Sequence, residues 1–214
     1  MWRIGSNLAK IYSFIFQPFL MPFYSLALLF VYTNFFNLYI WKTLRFLLPV
    51  LVFTFIIPSL FTIVLVKMKY VRDIFLTERS ERVLPYMIFF VSNLSLTYFF
   101  YQAHVFFWFL GLIAAPAIIS LVGLIINFFW KISAHMLGVG GVIGTVLSVC
   151  FHVKAASPLY LFAILFVLAG LLGVCRLYLK ASTAAQVYIG FLLGGLLGYG
   201  AVYGGLVLML SFLK

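Results

Sequence analysis

Long apolar runs recur from one end of this 214-residue chain to the other, and most are close to twenty residues long. About 20 residues of helix cross a hydrocarbon core about 30 Å thick, where backbone polar groups must bond one another because no water is present. Such a chain can fold as a bundle of membrane-spanning helices or as a closed barrel. A barrel strand alternates apolar and polar residues over about ten positions, and that alternation is missing here. Composition points the same way, with 66% hydrophobic residues, 8% charged residues and a mean hydropathy of +1.24. Soluble domains carry about 25% charged residues. We therefore expect an all-α, polytopic membrane bundle in which residues 1–214 form a single integral membrane domain.

Spans of the required length are expected near 16–37, 45–66, 84–101, 105–130, 134–152, 157–178 and 187–213, seven in all. The stretch 84–130 is too long for one helix, and Tyr101, Gln102, Ala103 and His104 supply its polar interruption. Pro18, Pro22, Pro58 and Pro116 lie at or inside spans, where neighbouring helices can re-satisfy the broken hydrogen bonds. Gly140 and Gly144, then Gly190, Gly194 and Gly198, then Gly200 and Gly204 repeat at four-residue spacing, which lets helix backbones approach closely. The stretch GVGGVIGTV is no phosphate-cradling loop, because no Gly-Lys-Ser/Thr follows it. No small-residue cleavage site follows Arg3 and Lys10, so no removable leader is expected. Cys150 and Cys175 fall within apolar runs, so neither a disulfide nor a metal site is expected of them.

Seven spans place alternate connectors on opposite sides of the membrane. One side receives the N-terminus, the loop 67–83, the turn at Lys131 and the segment after Arg176. That side carries ten of the fourteen Lys and Arg residues and all three acids, Asp73, Glu78 and Glu81. Counted whole, the cations would make it the cytoplasmic side. Without those that could belong to a functional site, five face four, and orientation stays open. The formal net charge of +11 suits anionic lipid headgroups or an anionic substrate. No metal, cofactor or nucleic-acid partner is expected.

Three polar clusters share this side: Glu78-Arg79-Ser80-Glu81-Arg82 before the third span, Lys131-Ile132-Ser133-Ala134-His135 before the fifth, and Arg176 to Lys180 after the sixth. Lysines at helix ends commonly snorkel to the interface, which accounts for Lys131 and Lys180 without a site. His135 and Arg176 have little polar company at a depth where a lone charge is costly. Arginine suits bidentate phosphate contacts, lysine adds a point charge, and serine a neutral donor. The start of the fifth span adds the positive end of a helix, and His135 could move a proton near neutral pH. The combination reads as an anion site, with Glu78 or Glu81 as counter-charge to its cations.

Ser133-Ala134-His135 opening one span, Arg176 closing the next and a glycine-rich last span resemble the type 2 phosphatidic acid phosphatase superfamily. That family's second motif is Ser-Gly-His. Its third is Ser-Arg, five residues, His, three residues, Asp, followed by a helix glycine. Aligned from Arg176, the segment RLYLKASTAAQVYIGFLLG puts Ser182 at the nucleophilic histidine, Gln186 at the aspartate and Gly190 at the glycine. Over nearly its whole length the chain is similar to a bacterial membrane branch found in Bacteroidetes, through the stretches FQPFLMPFY, ERSERVLP and WKISAHMLGVGG. In that branch glutamine is usual at the position of Gln186, whereas Ser182 and Ala184 depart from its Ala-His-Thr-Pro-Ala-Gln. Arg82 with Pro85 corresponds loosely to the first motif, whose lysine is missing.

The resemblance implies a lipid-phosphatase fold in a bacterial inner membrane, with a phospholipid phosphate or polyprenyl phosphate as substrate. His135 would be the general acid, Lys131, Ser133, Arg176 and Arg82 would bind phosphate, and Arg79, Glu78, Glu81 and Gln186 would support them. Ser182 would stand in the nucleophile's place, and an unactivated hydroxyl is a poor nucleophile at neutral pH. Impaired turnover is therefore expected. A non-catalytic lipid-phosphate binder and a lipid transporter or scramblase are the other classes open to such a chain. Its broken helices and glycine-lined last span suit the transporter, while the lack of a charge relay within the membrane counts against it.

Overall fold

A computed structural model describes residues 2–32, 44–72, 79–153 and 159–212. Among these residues every regular element is helical. Helix α1 (Trp2–Ile15) and α2 (Met21–Tyr32) are joined by a 3-10 turn, Pro18–Leu20. Then come α3 (Leu44–Lys67), α4 (Val83–Gln102), α5 (Phe107–Phe129), α6 (Ala134–Val153), α7 (Leu159–Tyr178) and α8 (Ala184–Phe212). With α1 and α2 together as one broken span, Gly5–Val31, seven segments are long and apolar enough to cross a membrane. The expected division at 101–104 is present, and so are the other six spans within a few residues. The first span differs: helix begins at Trp2 rather than near residue 16 and breaks at Pro18, which sits at the first position of the 3-10 turn. The end expected at residue 37 lies outside the described residues.

Three helix ends turn on a residue in the left-handed region where glycine is usual: Lys69 (φ 62), His104 (φ 52) and Lys180 (φ 51). Each closes its helix with two backbone bonds. At α7 the Ala181 N–H donates to the Arg176 carbonyl at 3.1 Å and the Lys180 N–H to the Leu177 carbonyl at 2.9 Å. In α3 Pro58 cannot donate to the carbonyl four residues back, and the helix opens into a wide π turn over Val52–Ile56. The Ser92 hydroxyl of α4 donates to the Phe53 carbonyl in that turn, so a group loosened from the ladder finds a partner in another helix.

The central helix is α6. Its most apolar stretch is 72% buried, against 22–44% for the other spans. It packs along α8 through glycines whose missing Cβ would strike backbone. A Cβ on Gly140 would meet the Phe191 carbonyl, one on Gly144 the Gly195 carbonyl and one on Gly194 the Leu137 carbonyl; on Gly198 it would lie 2.6 Å from the Gly141 carbonyl. The packing expected of these glycines is present. Gly200 and Gly204 differ, since a Cβ at either meets nothing within 4 Å. Gly205 and Gly111 take their place, against the carbonyls of Phe107 and Ala201.

On α1, Gly5, Ala9 and Ser13 form a small-residue stripe at four-residue spacing. Gly5 lies against the Tyr178 ring, and the Tyr12 hydroxyl donates to the Leu168 carbonyl of α7 at 3.0 Å. The opposite stripe, Leu8, Ile11, Phe14 and Ile15, is exposed. This division of a short helix into a small packed face and a large apolar one suits an element lying between a neighbouring helix and lipid.

Candidate functional site

The polar clusters meet where the chain enters and leaves α6. A 3-10 turn, Ser80–Arg82, delivers Arg82 to the start of α4, and the side chain is only 6% exposed. Its Nη1 donates to the Ile132 carbonyl at 3.0 Å, so Arg82 fixes the short extended connector between α5 and α6. That connector holds Lys131 and Ser133 beside it. Burial first, then the charges of Arg82 and Arg176, hold Lys131 below the usual lysine range, which places three cations within electrostatic reach of one another. Ser133 is the residue before the first turn of α6, a position where a serine hydroxyl commonly accepts a bond from the helix. Here it makes no such bond, and its buried Oγ has no hydrogen-bond partner among the described residues.

Arg82, His135, Arg176 and Ser182 line one cavity of about 270 Å³. Arg176 is 8% exposed, and its Nε has no hydrogen-bond partner among the described residues. Ser182 is 9% exposed in the tight turn that the left-handed Lys180 makes possible. The His135 ring is held by α1: its Nε2 lies 3.1 Å from the Ser13 carbonyl. A carbonyl only accepts, so Nε2 carries the proton of this bond and Nδ1 is the nitrogen open to gain one. In this arrangement His135 can act as a base through Nδ1. Acting as an acid requires a second proton on the ring.

The remaining supporting residues do other work. The Arg79 guanidinium donates to the Phe129 carbonyl at 3.0 Å and the Phe128 carbonyl at 2.9 Å, closing the C-terminal end of α5, where carbonyls lack intrahelical donors. Asn127 returns a bond to the Arg79 carbonyl at 3.0 Å. Arg79 is not among the residues lining the cavity. Gln186 is buried at the start of α8, where its Oε1 accepts from the Thr183 N–H at 3.1 Å while Thr183 Oγ1 faces the Gln186 N–H at 3.4 Å. This is a reciprocal cap, readable in the sequence as Thr-x-x-Gln. Glu81, expected to face the pocket cations, accepts from the Arg72 N–H at 3.0 Å, with the Arg72 Nε at 3.9 Å. Glu78 lies outside the described residues.

The N-terminal segment, to which no site residue was assigned from sequence, supplies a wall. Ser13, Phe14, Gln17, Pro18 and Phe19 all line the cavity. Tyr86, one helical turn beyond Arg82, lines it as well. A smaller, apolar cavity of about 40 Å³ shares Pro18, Phe89, Ile119 and Gly138 with the first and continues between α2, α5 and α6. A largely apolar cavity that carries several donors on its wall therefore adjoins a smaller apolar one. Such an arrangement suits an anion carried on an apolar chain. Comparison of the chain with known protein families, with curated proteins and with solved structures gives no match.

Proposed function

We propose that this protein binds the phosphate headgroup of a membrane lipid, a phospholipid phosphate or polyprenyl phosphate, and hydrolyses it weakly or not at all. The observation that carries the reading is one cavity lined by Arg82, Arg176, His135 and Ser182 together, with Lys131 close by. Phosphoryl transfer spreads negative charge over the equatorial oxygens, and fixed cations and donors are the groups that stabilise it. The resemblance to type 2 phosphatidic acid phosphatases and to their bacterial inner-membrane branch supports the same ligand class.

Two features argue for weak chemistry. Ser182 occupies the position of the family's nucleophilic imidazole, and a hydroxyl there requires a base to take its proton. His135 is the histidine that lines the cavity, and its Nε2 proton is already engaged by Ser13. One imidazole would have to accept a proton from Ser182 and then deliver it to the leaving oxygen.

Phosphate release in detergent from phosphatidic acid, phosphatidylglycerophosphate and undecaprenyl pyrophosphate tests the proposal. The unaltered protein should release little phosphate. Ser182→His, combined with Ala184→Pro, should gain a release that His135→Ala abolishes. Robust turnover by the unaltered protein, insensitive to Ser182→Ala but dependent on His135, would mean that another group is the nucleophile.

A further inference from the structure

Hydroxyls in the helices of this protein are generally spoken for. Those of Thr62, Ser95, Thr97 and Thr145 donate to the carbonyl four residues back, and those of Ser120 and Ser211 to the carbonyl three back. The phenols of Tyr12 and Tyr24 donate to carbonyls, and those of Tyr98 and Tyr199 meet Gln102 and His152. Two hydroxyls that line the large cavity behave differently. The oxygens of Ser13 and Tyr86 are buried and have no hydrogen-bond partner among the described residues. Thr54, Ser59, Ser133 and Ser148 share that condition, but none of them lines this cavity.

Both side chains are held in place. Ser13 is 6% exposed on the packed stripe of α1, and its own carbonyl receives the His135 Nε2–H at 3.1 Å, which fixes α1 against the start of α6. The Tyr86 ring lies over Gly123 of α5, where a Cβ would come within 3.0 Å of it. A serine in a helix can turn its hydroxyl back to the carbonyl of the preceding turn at little cost, so leaving Ser13 without that bond favours a partner elsewhere. A buried donor without a partner costs about as much as a lost hydrogen bond. What sets Ser13 and Tyr86 apart from the other unpartnered hydroxyls is that both line the cavity, where a ligand can reach them.

We propose that the hydroxyls of Ser13 and Tyr86 are ligand donors, giving hydrogen bonds to oxygens of the anion held between Arg82 and Arg176. They widen the donor set to α1 and α4, outside the three sequence clusters. Two neutral donors added to a group of cations favour a phosphoryl group with several free oxygens over a carboxylate with two. This inference rests on the reading of the cavity as a phosphate site.

The test uses the full-length protein in detergent, with inorganic phosphate, dioctanoyl phosphatidic acid and the uncharged dioctanoylglycerol as probes. Affinity is read by calorimetry and unfolding by a thermal melt without probe. Tyr86→Phe should weaken both phosphate probes about tenfold, and Ser13→Ala about fivefold, as expected for bonds to a charged acceptor. Dioctanoylglycerol should respond to neither. The melting temperature without probe should hold or rise in both variants, because each removes a buried polar atom that lacks a partner. Unchanged phosphate affinity in both variants, with the unaltered protein still binding, would overturn the hydroxyl assignment alone. A drop in melting temperature in both would give these hydroxyls a structural role and overturn it too. Failure of the unaltered protein to bind either phosphate probe would remove the phosphate site and this inference with it. Tightening on the phosphatidic acid relative to inorganic phosphate would identify the headgroup of a lipid as the occupant; equal affinities would identify free phosphate.

Discussion

Helix α6 takes part in two kinds of contact that differ in nearly every physical respect. Along Leu137–Gly144 it lies against α8 with backbone on backbone, and glycines leave no room for a single added carbon. At Ala134–His135, one turn away, it borders a cavity where buried donors lack partners among the described residues. The seam gains from close approach and dispersion, the principal means by which helices associate in lipid. The cavity forgoes that gain and keeps polar groups at a depth where they are expensive. A close-packed seam beside a cavity with unpartnered donors is what one expects if the seam's task is to hold the cavity's side chains in place.

The sharpest way to break this contrast is to put a side chain into the seam. Gly194→Val drives a Cβ into the Leu137 carbonyl and should cost about 3 kcal/mol or more, read as a lower melting temperature in detergent. Gly200→Val, in the same helix but facing open space, should stay within about 0.5 kcal/mol. Equal losses at both positions would mean that the seam is not where α8 is held.

Next in size are two arginines, Arg176 expected from the sequence to bind phosphate and Arg79 to support the site. Arg176→Gln should weaken inorganic phosphate binding by about a hundredfold without lowering the melting temperature, because its buried Nε has no hydrogen-bond partner among the described residues. Arg79→Gln should do the reverse, costing about 1 kcal/mol of stability through the freed Phe128 and Phe129 carbonyls while leaving phosphate affinity unchanged. Parallel behaviour of the two variants would erase the distinction between cavity and scaffold.

A smaller effect separates the two regions by pH. Lys131 is held below the usual lysine range in the free protein, and a bound anion restores its proton affinity. Binding should therefore take up a proton, and affinity should fall severalfold as pH rises through the window between the lowered and the ordinary lysine values. The unfolded chain binds more protons in that window, so stability should rise with pH there. Calorimetry in two buffers of different ionisation enthalpy measures the uptake, and Lys131→Met should abolish it. The smallest effect belongs to the turn that carries Ser182: Lys180→Gly relieves a left-handed lysine and should add about 0.5 kcal/mol, without altering affinity.

The spans were legible because length and hydropathy alone decide them, and the glycine seam because four-residue spacing has few other uses. The two halves of the site were not equally visible. Arg82, His135, Arg176 and Ser182 stand beside recognisable neighbours, and all four line the cavity. Ser13, Gln17 and Tyr86 carry no local mark. Their place in the cavity depends on where α1 and α4 pack, which no short window records. The stripe Gly5-Ala9-Ser13 was available as a signal, yet Arg3 and Lys10 made the segment read as a flank outside the membrane. Gln186 shows the opposite failure. Thr183-x-x-Gln186 announces a helix cap, but alignment to a catalytic motif drew attention to what aspartate would do there.

The break between α1 and α2 has a consequence for how the protein is made. One wall of the cavity is laid down with residue 13 and another with residue 182, so synthesis delivers the first long before the last. Until α7 enters the bilayer, Tyr12 has no Leu168 carbonyl to donate to, and the cavity wall lacks Arg176. On the proposed reading, a fragment that ends before α7 lacks Arg176 and Ser182 from the cavity wall and should bind no phosphate. On the same proposal, a phosphate ligand would be a late stabiliser of assembly, favouring the completed bundle by mass action once the final span is home.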